Sequence, residues 1–307
     1  MFETTKSLKT KLLGINLSNP TIMPAGFLGV SADSLIRAYD NGAGAVTTKS
    51  ISLEERNGHA NPTVLSFGYG LINAVGLSNP GIDEYVEEIK EVKKRKIPLI
   101  LNTIGDDNQD FVDVAKMGEA AGVDIIEINI SCPNVVHRKP YYADPELLSD
   151  LVQEVKDAVS IPVIVKLSPN VTNIKEIAKA VELAGADGIS AINTVGPGMI
   201  INIETAKPVM AFKKGGLSGP AIKPIAIRCV YDIYETVSIP IIGMGGITNG
   251  RDMIEMIMAG ATAVGVGSAI YYRGLDVFKK ICAEAHEWMR DNGYSSIKQI
   301  IGAAHEL

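Results

Sequence analysis

Cysteine is scarce in this sequence. There are three in 307 residues, Cys132, Cys229 and Cys282, far apart and without a Cys-x-x-Cys pair. That spacing excludes a self-contained zinc or iron–sulfur site. An odd, sparse count fits a reducing cytosol. The four histidines, His59, His137, His286 and His305, show no paired ligand spacing, so no metal site is expected. No run of about 18 apolar residues occurs, which argues against a transmembrane helix. The first ten residues are polar and lack the apolar core of a signal peptide. There is no basic block and no interleaving of basic and aromatic residues, and the net charge is -6. Nucleic-acid binding is therefore disfavoured. Together these absences predict a soluble, cytoplasmic protein.

What is present is alternation. Short apolar or β-branched runs at residues 21–25, 45–49, 98–103, 123–128, 162–167, 188–193, 240–243 and 263–267 read as strands. Amphipathic stretches at 82–94, 110–121, 145–159, 174–184, 221–236 and 251–258 read as the helices between them. Cys229 and Cys282 fall in helical patterns. Eight strand–helix alternations predict a parallel sheet closed into a TIM (β/α)8 barrel, with a doubly wound open sheet as the runner-up. The joins repeat one grammar. Ala121-Gly122-Val123-Asp124, Ala184-Gly185-Ala186-Asp187 and Ala259-Gly260-Ala261-Thr262 place Gly where a helix ends. Ile97-Pro98, Ile161-Pro162 and Ile239-Pro240 place Pro where a strand begins. Residues 8–17 read as an N-terminal β-hairpin covering the barrel's N-terminal end. Residues 134–142 and 194–219 read as loop insertions on the C-terminal face. No linker or low-complexity segment interrupts residues 1–307, which read as a single barrel domain.

The strand ends carry the chemistry. Asn129-Ile130-Ser131-Cys132-Pro133-Asn134 puts a thiol and two carboxamides just past the fourth strand, where ligands bind in parallel α/β proteins. Alone, this is equally a turn with a small buried Cys. Other strands end in Lys49-Ser50, Asn102, Lys166 and Asn193-Thr194. Lysines are almost never fully buried unless paired, and five polar ends at equivalent places predict a polar ligand. The last two strands end in Gly243-Met244-Gly245-Gly246-Ile247 and Gly265-Val266-Gly267-Ser268. Loops there form a recurrent phosphate site in barrels, because Gly lets backbone N–H groups approach the oxygens. Asn73-Ala74-Val75-Gly76-Leu77-Ser78-Asn79-Pro80-Gly81 reads either as a turn cluster or as a loop facing the site.

In order and spacing, these motifs, with Lys166-Leu167-Ser168-Pro169-Asn170 and Gly215-Gly216-Leu217-Ser218-Gly219-Pro220, resemble the class 1 dihydroorotate dehydrogenases. The resemblance runs from residue 19 to about residue 272. It implies oxidation of dihydroorotate to orotate in pyrimidine synthesis, with FMN as cofactor. Cys132 matches the base that removes the C5 proton. Lys49 matches the lysine between flavin and substrate. Asn73, Asn129, Asn134, Asn193 and Thr194, with the Gly76-Leu77 backbone, match the pyrimidine and carboxylate contacts. Ala25, Gly26, Ser50, Asn102, Asn129, Lys166 and Ile192, again with Lys49, match positions around the flavin ring and ribityl chain. Gly219, Gly245, Gly246, Gly267 and Ser268 match its phosphate-side cradle.

The resemblance also implies a homodimer. It favours the NAD-linked 1B arrangement, in which a partner subunit carries FAD and a [2Fe–2S] cluster. Two departures stand out. Ala25-Gly26 replaces the Ser-Gly of many relatives, and residues 135–142 carry neither the glycine-rich loop of NAD-linked relatives nor the Pro-Gln of fumarate-linked ones. Competing readings are a dihydropyrimidine dehydrogenase-like flavin barrel acting on uracil or thymine, and a barrel enzyme without flavin that binds a substrate phosphate.

Overall fold

The computed structural model describes residues 8–130 and 140–306. The chain opens with an antiparallel hairpin, β1 (Thr10–Leu12) and β2 (Ile15–Leu17), with Thr10 opposite Leu17. Then come β3 (Thr21–Met23), β4 (Ala45–Thr47), β5 (Val64–Ser66), β6 (Leu71–Asn73), β7 (Leu99–Thr103), β8 (Ile125–Asn129), β9 (Val163–Leu167) and β10 (Gly188–Ala191). After β11 (Val195–Gly198), β12 (Ile201–Asn202), β13 (Lys207–Pro208) and β14 (Gly215–Ser218), the barrel resumes with β15 (Ile241–Met244) and β16 (Ala263–Gly265). Strands β3, β4, β7, β8, β9, β10, β15 and β16 close, in that order, into a barrel whose pairings are all parallel. The (β/α)8 expectation is met, and the open-sheet alternative is set aside.

Two apolar layers hold the barrel. Leu12 and Leu17 of the hairpin pack with Ile22, Ala45, Ile100, Ile125, Ile164, Ile242 and Ala263, filling the interior at the N-terminal end. The larger layer lies between the barrel and its helices. Leu99, Leu101, Ile126, Ile128, Val163 and Val165 face it. Successive strand side chains point to opposite faces. So Asn102, Glu127, Asn129 and Lys166, which alternate with those residues, point into the barrel above the Ile100–Ile125–Ile164 layer.

The surrounding helices begin and end where local chemistry allows. Helix Asn108–Ala121 is capped by Asp107, whose side chain accepts from Asp110 N, and ends at Gly122 with φ 99°. Helix Pro145–Ala158 starts with Asp144 as its cap and Pro at its first position. Helix Gly250–Met258 carries a capping box from Asn249 and Asp252. Among the described residues, no helix is long and apolar enough to cross a membrane.

The structure adds elements that the sequence pattern did not separate. Helices Ala32–Asp40 and Val277–Asp291 complete the outer layer. The 194–219 insertion meets the β5–β6 segment in one antiparallel sheet, ordered β11-β14-β6-β5, with Gly216 opposite Asn73. Four barrel strands, β3, β4, β10 and β16, end earlier than expected. β3 stops at Met23 because Pro24 removes a ladder donor, and β10 stops at Ala191. Ala25, Gly26, Ile192, Asn193 and Thr194 therefore sit in loops at the mouth rather than on strands.

Candidate active site

A cavity of about 380 Å3 opens at the C-terminal ends of the barrel strands. Lys49 and Ser50, just past β4, line one side, with Asn129 and Lys166 on the adjoining strands β8 and β9. Asn129 and Lys166 stand side by side in register. Burial lowers the pKa of Lys49 from its ordinary 10.5. Among the described residues, Lys49 has no carboxylate within ion-pair distance. A half-buried ammonium without a partner favours an anionic ligand, since the ligand's charge offsets its lost hydration.

A wall of carboxamides continues from it. Asn129 Nδ2 donates to Ser50 Oγ at 3.3 Å and to Asn102 Oδ1 at 3.2 Å. Asn193 Nδ2 donates to Asn129 Oδ1 at 3.3 Å, and Asn193 Oδ1 accepts from Thr194 N at 2.7 Å. Asn193 and Thr194 line the cavity too. Asn102 does not. It is fully buried behind Asn129 and braces it from below.

The loop of Asn73, Gly76 and Leu77 forms another part of the lining. Two side chains hold it. Asn79 is buried, its Oδ1 accepting from Ser52 N at 3.1 Å and Gly81 N at 2.9 Å while its Nδ2 donates to Leu77 O at 2.9 Å. That clamp fixes Leu77 at φ 60°, a conformation most side chains avoid. His59 Nδ1 lies 3.1 Å from Ala74 O, and its ring stacks on Phe212. Across the mouth, Asn170 bridges Thr194 O and Gly196 N at 3.0 and 2.9 Å. Gly216 must lack a side chain, because a Cβ there would lie 2.1 Å from Thr194 Oγ1.

The opposite side is backbone. Gly219, Gly245, Gly246, Gly267 and Ser268 line the cavity, as do Ala25, Gly26 and Ile192. Among the described residues, the N–H groups of Gly245, Gly246, Gly267 and Ser268 bond to no protein acceptor. A cluster of unmet N–H donors around glycines is what a phosphate requires.

Thus every expected site residue except Asn102, Cys132 and Asn134 lines one cavity. Cys132 and Asn134 lie outside the described residues. The sequence reading passed over Glu127, Asn79, Asn170 and His59. For Glu127 a signal existed: a carboxyl inside the apolar run Ile125–Ile128, two residues before Asn129 and so on the same face. Asn79 bonds locally to Leu77 and Gly81 as well as to distant Ser52, while Asn170 and His59 act across the fold, and nothing near them in sequence marks their partners.

A closed parallel barrel with a polar wall and a cradle of N–H donors at its strand ends defines a barrel protein whose C-terminal face suits a polar, anionic ligand. The chain belongs to the dihydroorotate dehydrogenase family, whose pattern it matches over residues 7–289. It is 49% identical over 307 residues to the protein named dihydroorotate dehydrogenase B (NAD(+)), catalytic subunit, of Methanocaldococcus jannaschii, covering 97% of this chain and 98% of that one. The protein of that name from Methanothermobacter thermautotrophicus is 47% identical, with 97% and 99% covered. The one from Thermoplasma acidophilum is 44% identical, with 97% and 98% covered. Family membership implies a flavin. The unmet N–H donors and the carboxamide wall fit one, supplying a phosphate cradle and neutral hydrogen-bonding groups in a single cavity. The relatives' designation as catalytic subunits implies a separate electron-transfer partner for them.

Proposed function

We propose that this chain oxidises dihydroorotate to orotate in pyrimidine biosynthesis, as the FMN-binding catalytic subunit of an NAD-linked enzyme. The observation that carries this reading is the convergence of Lys49, Asn73, Asn129, Asn193 and Thr194 on the cavity that also holds the unmet N–H donors. Dihydroorotate is a polar ring bearing a carboxylate, and it becomes planar on oxidation to orotate. Lys49 supplies the charge opposite that carboxylate, and carboxamides read the ring's N–H and C=O groups without adding charge.

The residues divide the work. Gly245, Gly246, Gly267 and Ser268 would hold the FMN phosphate through backbone N–H groups, with Lys166 and Ser50 beside the flavin ring. Bound flavin supplies the two-electron acceptor for the hydride that leaves C6. Cys132, three residues past the end of β8, takes the C5 proton at Sγ, and Asn134 contacts the substrate. Loss of the proton from C5 and the hydride from C6 leaves the C5=C6 double bond of orotate. A thiol of reference pKa near ~8.5 is a small thiolate fraction at neutral pH, so turnover rises with pH until the thiol is ionised.

A partner subunit carrying FAD and a [2Fe–2S] cluster would supply the route for the electrons to NAD. That division of labour agrees with the three scattered cysteines here. The whole chain acts as one domain, in a cytoplasmic homodimer. An absorbance spectrum of purified protein, before and after anaerobic dihydroorotate, tests cofactor, substrate and reaction together. A yellow protein bleached by dihydroorotate but not by dihydrouracil is expected. A colourless protein, or bleaching by dihydrouracil alone, overturns the reading.

A further inference from the structure

We propose that Glu127 is a positioning residue that sets the donor–acceptor sense of the carboxamide wall. It acts on the substrate side of the cavity without touching the ligand, and it rests on the functional reading above. Glu127 is 2% exposed, inside the barrel, one step above the apolar Ile125 on the same strand. An apolar side chain would continue that layer, so a buried carboxyl there is costly unless its oxygens are met. Both are met. Oε2 accepts from Asn102 Nδ2, and Oε1 accepts from Ser190 Oγ at 2.6 Å.

The consequence runs upward through the wall. A carboxamide has a donor end and an acceptor end and can be turned either way. The Glu127 oxygen accepts the Asn102 amino group, so Asn102 Oδ1 faces Asn129. That oxygen holds Asn129 with its own amino group inward, toward Asn102 and Ser50. Asn129 Oδ1 is then left for Asn193 Nδ2, and Asn193 Oδ1 for Thr194 N. One acceptor at the bottom fixes the order of donors and acceptors at three cavity-lining residues. A ring with fixed N–H and C=O positions binds one order and not its reverse.

Two variants separate acceptor from charge. In E127Q the side-chain oxygen still meets Asn102, and the new amino group meets Ser190 Oγ, a hydroxyl that also accepts. The wall keeps its sense. In E127D the charge stays, but the oxygens withdraw by about 1.5 Å, one C–C bond. Asn102 then loses its acceptor and is released to turn. The dissociation constant of orotate is read from the change in flavin absorbance on titrating the holoprotein, alongside each melting temperature. E127Q should bind within about twofold of wild type and E127D about tenfold more weakly, the scale of one lost hydrogen bond to a charged group. A purely structural Glu127 would lower melting temperature and leave the orotate constant unmoved, which overturns the proposal. So does E127Q binding as weakly as E127D, since charge would then be the active property. Wild-type protein whose flavin spectrum ignores orotate overturns the functional reading itself, and this inference with it.

Discussion

His59 lies flat on Phe212, with ring centroids 4.0 Å apart and planes 7° from parallel. The pair joins two segments distant in sequence: the approach to the Asn73 loop and the long insertion between β10 and β14. His59 also reaches Ala74 O, and a Cβ on Gly76 would lie 2.7 Å from His59 N. The imidazole is therefore a prop beneath the Gly76-Leu77 backbone.

His59→Ala removes that prop without touching the cavity. The stack contributes about 0.5–1.5 kcal/mol, and the hydrogen bond a similar amount. A stability loss of about 1–2 kcal/mol is expected by thermal or urea unfolding, with weaker orotate binding. His59→Phe should restore the stack but not the Ala74 contact and fall between. Equal stability in all three proteins would remove His59 from this role.

Lys49 gives a pH signature whose sign follows from burial. In the unliganded protein its pKa lies below 10.5 because the charged form is desolvated. A bound carboxylate favours the protonated form, so the pKa is higher in the complex. Orotate affinity is then flat at low pH and falls by up to about tenfold per pH unit as pH rises through the lowered value. It levels off above the pKa of the complex. Lys49→Met should bind orotate weakly at every pH and lose this slope. An alkaline slope that persists in Lys49→Met would place the titrating group elsewhere.

The barrel was legible because its signals are local and repeated. Gly or Pro at each helix-to-strand join, and an apolar run after each, give eight strands whatever the rest of the chain does. The strand-end residues were legible for the same reason: Lys49, Asn129 and Lys166 are polar residues at or just past the ends of apolar runs. The four-stranded sheet at the mouth was not. β6 and β14 lie over 140 positions apart, and Gly215-Gly216 carries no strand propensity. Those positions are glycine because Asn73 and Thr194 leave no room for a Cβ, a fact of the folded state. The resemblance makes Asn102 a cofactor contact, and its strand-end position marks it as polar-ligand lining. Asn102 pairs in register with Glu127, two residues below Asn129, and so braces the wall from behind.

Gly246 and Gly267 both line the cradle, yet substitution should affect them differently. Gly246 has φ 77°, and a Cβ there would sit 2.9 Å from Lys223 Cα. Lys223 cannot retreat easily, since its Nζ is held by Asp252 and Glu255 at 2.8 and 2.7 Å. Gly246→Ala should therefore lose about 2–3 kcal/mol from left-handed strain plus crowding and retain little flavin. At Gly267 the nearest contact of a new Cβ is Pro24 Cγ at 3.3 Å, and φ is ordinary. Gly267→Ala should cost under about 1 kcal/mol. Melting temperature and the flavin-to-protein absorbance ratio measure both effects. A Gly246→Ala protein as stable and as yellow as wild type would contradict the crowding argument.

The three cysteines should part company under a thiol reagent. Burial raises the Cys282 thiol to about 12, despite a contact from Thr21, and burial also raises Cys229. At pH 8 the Cys282 thiolate is on the order of one part in ten thousand, against about a quarter for an ordinary thiol. Both should resist iodoacetamide in the native protein and react once denaturant unfolds it, as peptide mass spectrometry would show. If Cys132 is the base, its alkylation should track loss of turnover and be slowed by orotate. Cys132→Ala should keep its flavin and its orotate spectrum, lose most turnover at neutral pH, and take up almost no native label. Cys132→Ser should retain some activity with a higher pH optimum, because a hydroxyl is a weaker acid than a thiol. Full turnover in Cys132→Ala would assign the C5 proton to another group.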